Sequence, residues 1–175
     1  MSNSSLESEF RTYAATRLGD NLQTIEKCLS LLTVEQVWTR PNDVSNSIGN
    51  LVLHLRGNVQ QWIVASIGEQ PFDRNRPAEF AQRDVLPIDQ ILPPLQQTIA
   101  AASDVIAGLR AERLLERVVI QGYDVTVLAA VFHVVEHFSL HTGQIVYQTK
   151  ILTGLDLSAY DAQGRRIDGR QAGVP

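Results

Sequence analysis

Apolar residues recur at helical spacing through four long stretches of the chain, and none of these stretches shows the every-second-residue alternation of a strand. The first runs from Leu6 to Leu32, with Leu18, Leu22, Ile25, Leu29 and Leu32 spaced by fours and threes and Ser4 and Glu7 spaced as a capping box. The second starts at Asn46 or Ser47, either of which can cap it, carries Ile48, Leu51, Leu55, Val59 and Trp62 on one stripe, and stops at Gly68. The third begins with Pro87 at the first helical position and continues through Ile88, Ile91, Leu95, Ile99, Ala102, Ile106 and Leu109. The fourth is capped by Asp124, passes through Val131, Val135, Phe138 and Ile145, and ends at Thr153–Gly154. The pattern predicts an all-α protein built as a bundle of four helices.

The connections differ in kind. Residues 33–45 hold Pro41 and the turn-forming pair Asn42–Asp43, with one short helical turn over Val34 to Trp38. Residues 69–86 form a longer crossover with Pro71, Pro77 and the charged run Asp73-Arg74-Asn75-Arg76, long enough for a bundle that is not simply up-down-up-down. The bundle is assigned to residues 1–155. Residues 156–175, rich in Gly and Arg and without periodicity, read as an irregular tail of the same domain.

A chain of 175 residues is long enough for one domain with its own core, so a metal is not needed as a structural staple. The net charge of −4 and the scattered Lys and Arg give no basic footprint for nucleic acid. Glu7, Glu9 and Arg11 interrupt the region where a signal peptide would need an apolar run, and the most apolar segment, Val125 to Val135, is too short to span a bilayer. The single cysteine, Cys28, sits among apolar helix positions and reads as a small core residue in a reducing cytoplasm.

The histidines change the picture from architecture to chemistry. His133, His137 and His141 recur every fourth residue, which on a helix rotates each imidazole by only about 40° from the last, so they stack along one side. Neutral imidazole binds Zn, Ni, Cu or Fe, and an i,i+4 pair can hold one ion from successive turns. His54, on the second helix, would complete a three-histidine site. Around it Asn46, Asn50, His54 and Asn58 form a polar ridge spaced by four, either a solvated face or, if turned inward, a source of groups supporting the ligands or contacting substrate. On the fourth helix Gln144 and Gln148 project within about 20° of His137, so the histidine face stays polar toward its end.

His133-Val-Val-Glu136-His137 also spells the inverted zinc-protease motif. That chemistry needs a further carboxylate ligand from downstream, and only Asp156, Asp161 and Asp168 follow, all in or near the tail, which disfavours a protease.

The segment Asn46-Ser-Ile-Gly-Asn50-Leu-Val-Leu-His54-Leu-Arg-Gly-Asn58, with His137-Phe-Ser-Leu-His141-Thr-Gly-Gln144-Ile, resembles the DinB-like superfamily, and Arg74-Asn-Arg76-Pro-Ala-Glu79-Phe80 is similar to its branch of uncharacterised bacterial domains. The resemblance covers most of the chain. It implies a four-helix bundle with a long crossover and a divalent transition metal, Zn or Ni, held by His54, His137 and His141. Asn50, Asn58, His133 and Gln144 are then candidates for supporting the ligands or touching substrate. It further implies a metal-dependent enzyme, such as a transferase using a low-molecular-weight thiol, and a homodimer. The competing expectation is a non-catalytic metal or small-ligand binding protein of the stress response.

Overall fold

The structure is a computed structural model that describes residues 5–158, 161–163 and 165. Four long helices make the bundle: α1 (Leu6–Ser30), α3 (Ile48–Val59), α5 (Ile88–Ala107) and α6 (Val127–Thr153). Helix α1 packs on α5 and α6, and α3 closes the opposite side against the same two. Two short helices, α2 (Val34–Trp38) and α4 (Arg76–Ala81), lie in the first connection and in the crossover. The all-α, four-helix reading with a long crossover holds. The apolar stripes predicted above supply the core, where Leu18, Ile25, Leu29, Ile48, Leu55, Leu95, Ile106 and Phe138 are fully buried. Cys28 lies in that core as a free thiol, and burial pushes its ionisation up, away from reactivity. No described helix is long and apolar enough to cross a membrane.

Helix α3 starts where the sequence offers two caps, and Ser47 takes the role. Its Oγ accepts from the Asn50 backbone N–H at 3.1 Å while Asn50 Oδ1 accepts from the Ser47 N–H at 3.3 Å and from its hydroxyl at 2.8 Å. Past Val59 the helix widens into a π-helical turn, Gln60–Ala65, in which Ser66 and Gly68 donate to the carbonyls of Gln61 and Ile63, five residues back. This turn carries Trp62 and Gln61 toward the same end of the bundle as His54.

Three helix N-caps differ from expectation. Helix α1 begins at Leu6 with Ser5 as its N-cap, and Ser4, expected in the capping box, lies outside the described residues. Pro87 sits one position earlier than expected, as the extended N-cap of α5 at ψ 149°, and the helix takes Pro93 and Pro94 within its second turn.

The largest departure precedes α6. Asp124 does not cap it; Thr126 does, its Oγ1 accepting from the Ala129 N–H at 3.1 Å. Asp124 belongs instead to an antiparallel hairpin, β1 (Arg117–Ile120) and β2 (Tyr123–Thr126), where it pairs with Arg117 across the strands at 2.9 Å. The cause is the turn: Gln121 and Gly122 both adopt positive φ, 54° and 83°, as a two-residue hairpin loop requires, and the flanking Val118, Val119, Ile120 and Val125 favour strands. At its other end α6 stops as predicted, with Gly154 left-handed at φ 69° and its N–H on the Lys150 carbonyl. Most of the tail assigned to residues 156–175 lies outside the described residues.

Candidate metal centre

The inward option for the polar ridge of α3 is the one the structure takes: Asn50, His54 and Asn58 are all buried. Helices α3 and α6 meet so that the three imidazoles of His54, His137 and His141 turn their Nε2 atoms on one point. His54 Nε2 lies 3.1 Å from His137 Nε2, which lies 3.2 Å from His141 Nε2. Among the described residues, these three form the cluster of ligand-type side chains able to hold an ion. Two ligand nitrogens each about 2.0–2.1 Å from one ion stand roughly 2.8–3.4 Å apart, depending on whether the angle between them is octahedral or tetrahedral, so the spacing fits a shared cation.

What each imidazole does with its other nitrogen fixes which nitrogen faces the centre. His54 Nδ1 is 2.9 Å from Glu79 Oε2, a contact that requires the proton on Nδ1 and leaves the Nε2 lone pair toward the cluster. His141 Nδ1 donates to Gln144 Oε1 at 2.7 Å, one helical turn on, with the same consequence. His137 Nδ1 is buried and meets no acceptor among the described residues. Burial, then the neighbouring imidazoles of His141, His54 and His133 and the charge of Arg74, push the His137 ionisation down to about 3, and burial lowers that of His141 against the opposing bond to Gln144. Near neutral pH both rings are therefore uncharged, the form that ligates metal.

Glu79 arrives from the crossover and was not singled out by spacing. Short helix α4 presents it, capped by Asn75, whose Oδ1 accepts from the Ala78 N–H. Arg74 grips the same carboxylate through Nε at 2.7 Å and Nη2 at 2.8 Å, and its Nη1 donates to Gln61 Oε1 at 3.0 Å. Burial alone would raise the Glu79 carboxyl; the bonds from His54 and Arg74 outweigh it and hold it below the ordinary carboxylate range. Asn50 fastens this segment to α3 by donating to the carbonyls of Glu79 at 2.9 Å and Gln82 at 3.1 Å, so it supports the site through the backbone of the crossover and not by contact with the centre. Gly57 makes the approach possible. A Cβ at that position would stand 2.0 Å from Glu79 Oε1 and 3.0 Å from Arg74 Nε.

Of the other residues named from sequence, Gln144 lies beside His141 and Asn58 lines a cavity next to the cluster. His133 stands apart from the triad: its ring packs on Trp62 at 4.4 Å between centroids and is 5.7 Å from that of His137. Glu136 points outward into solvent. Asp156 and Asp161 are engaged by Lys150 and Arg165, and Asp168 lies outside the described residues, so no described carboxylate completes a protease site. The signal for Glu79 was present, in the charged Arg74–Glu79 run of the crossover, but its partner is set by folding and not by spacing.

The fold is that of DinB-like helical bundles, and it carries a histidine cluster between two of its helices. Residues 5–161 match the family described as a protein of unknown function (DUF1572), and the chain belongs to that family. No curated protein matches its sequence. A conserved protein from Enterococcus faecalis has a similar structure, with a TM-score of 0.69 at 17% identity over 82% of this chain and 97% of that one. So does a DinB-like protein from Bacillus cereus, with a TM-score of 0.59 at 15% identity over 79% of this chain and 89% of the other. At such identities the likeness concerns the fold.

Proposed function

We propose that His54, His137 and His141 hold one divalent transition ion, zinc or nickel, and that the protein is a metal-dependent enzyme, a transferase acting with a low-molecular-weight thiol. The observation that carries this reading is the convergence of three Nε2 atoms at 3.1 and 3.2 Å with two of the three rings held in the ligating tautomer by Glu79 and Gln144. Three neutral imidazoles leave positions open, as catalytic sites do. An ion held there lowers the pKa of a bound thiol or water and so yields a nucleophile near neutral pH. The chain's own part is to orient: Glu79 fixes the His54 ring, Gln144 fixes His141, and the burial that keeps His137 neutral also limits water around it.

The buried free thiol of Cys28 agrees with a reducing cytoplasm. A homodimer is supported by helix α6, whose outer face exposes Phe132, Leu140, Tyr147 and Ile151 along one side adjoining the histidines.

The test is elemental analysis of protein purified without a metal-binding tag, followed by assays of zinc- and nickel-loaded protein with bacillithiol, mycothiol or glutathione and an electrophilic acceptor. About one ion per chain and turnover with one thiol are expected. An ion without turnover, alongside tight ligand binding, would favour the non-catalytic binding protein. Absence of stoichiometric metal would end the reading.

A further inference from the structure

Beside the histidine cluster lies a cavity of about 360 Å³, within the range of small-molecule sites. Its floor is His54 and His137, and Asn58 and Trp62 from the end of α3 and the π-helical turn form one wall. The hairpin contributes Gln121, Tyr123 and Val125 opposite, and Arg74 and Arg76 come from the crossover. Among the described residues no carboxylate lines it.

Two observations point to a ligand. Asn58 and Trp62 are each only 4% exposed, yet Asn58 Oδ1 and Trp62 Nε1 have no hydrogen-bond partner among the described residues. Buried polar atoms are rarely left so, and both side chains line one wall of the cavity, where a small rotation would offer these atoms to a guest. The second observation is charge. The Arg74 guanidinium is consumed by Glu79 and Gln61, whereas Arg76 makes no ion pair among the described residues and only rests its guanidinium over the Phe80 ring at 5.0 Å. Arg76 is thus a free cation at the rim of a cavity with an aromatic wall, Trp62 lying 6.5 Å from Tyr123 between ring centroids.

We propose that this cavity binds a small organic carboxylate with a planar apolar body. The carboxylate pairs with Arg76, the body lies against Trp62 and Tyr123, polar atoms on the body meet the Asn58 amide and the Trp62 N–H, and the far end reaches the histidine cluster. As an assignment of substrate class it rests on the metal-centre reading, while Arg76, Asn58 and Trp62 belong to the cavity alone.

The experiment measures binding of benzoate, phenylacetate and indole-3-acetate, each against its uncharged amide, by calorimetry and tryptophan quenching on zinc-loaded and metal-stripped protein. At least one acid should bind more tightly than its amide in both forms. Arg76→Gln should reduce acid binding roughly 3- to 10-fold while leaving amide binding and zinc content unchanged. Trp62→Phe should weaken both members of each pair. An acid preference seen only with zinc present and indifferent to Arg76→Gln would overturn the proposal, since the carboxylate would then be a ligand of the ion. Equal affinity for acid and amide, or no binding of any probe at millimolar concentration, would overturn it too. Acid preference through Arg76 in a protein that takes up no metal would instead refute the metal reading and leave the cavity assignment standing.

Discussion

The Glu79 carboxylate accepts a hydrogen bond from His54 Nδ1 at 2.9 Å and thereby ties the crossover to the centre of the bundle. The pair is buried, and Arg74, with only 4% of its side chain exposed, balances the carboxylate. Orientation of a histidine ligand is in this way delegated to a segment outside the four long helices.

Replacing Glu79 separates orientation from stability. Glu79→Gln keeps an acceptor but loses the charge, and should weaken zinc binding roughly 10- to 100-fold with the helical content intact. Glu79→Ala also leaves the buried Arg74 guanidinium without its counter-charge, with Gln61 its remaining acceptor, and should cost about 3–5 kcal/mol in urea unfolding of the metal-free protein. Zinc affinity unchanged in Glu79→Gln would mean that His54 needs only an acceptor at Nδ1 and not a charge.

The histidine register can be read from four single variants. His54→Ala, His137→Ala and His141→Ala should each lose stoichiometric metal, while His133→Ala should keep it, at a cost of roughly 100-fold in affinity at most. Circular dichroism should show all four folded, because the core does not depend on the ion. Metal lost from His133→Ala but kept by His141→Ala would shift the ligand pair by one turn.

Acid should destabilise the metal-free protein well before its carboxylates titrate. His137 protonates near pH 3 when folded and near 6.5 when unfolded, so below pH 6.5 the unfolded chain binds the extra proton. Its contribution is intact above pH 6.5 and erodes as pH falls toward 3, at up to about 1.4 kcal/mol per pH unit, with His141 acting in the same direction. Unfolding free energies between pH 7.5 and 4.5 should show this slope, and His137→Gln should flatten it.

Gly57→Ala should mimic the loss of Glu79 without touching a charge. The added methyl group occupies the place of the Glu79 carboxylate, so the carboxylate must shift and its bond to His54 is lost. A zinc affinity reduced to about the level of Glu79→Gln is expected, and a wild-type affinity would show that the crossover has room to adjust.

The proposed homodimer has its own check. Leu140→Glu on the exposed face of α6 should give a monomer of 19.4 kDa by light scattering, where the wild type gives twice that mass. A wild-type monomer at micromolar concentration would dismiss the dimer.

The long helices were legible because their stripes are long and periodic, and the Ser47 cap and Gly154 stop were written in residue types suited to those ends. The hairpin was not, because four-residue strands give too short a pattern and the adjoining apolar run of α6 masks them; Gln121–Gly122 between β-branched residues was the available signal. The spacing of the histidines placed three of them on one face, but the separate place of His133 follows from Trp62, which packs against it across the bundle. Glu79 was out of reach by periodicity, since its meeting with His54 depends on where an irregular crossover lands.

The widened turn at Gln60–Ala65 sets backbone regularity against aim. Deleting Gln60 would let the chain resume ordinary i to i−4 bonding. Yet the deletion would swing everything after it by about 100° relative to the preceding turns. Gln61 would leave Arg74, and Trp62 would leave His133. A shortened protein of this kind would lose its cavity together with part of its core, because Ile63 and Ile67 are fully buried, which makes this turn a poor target for stabilising design.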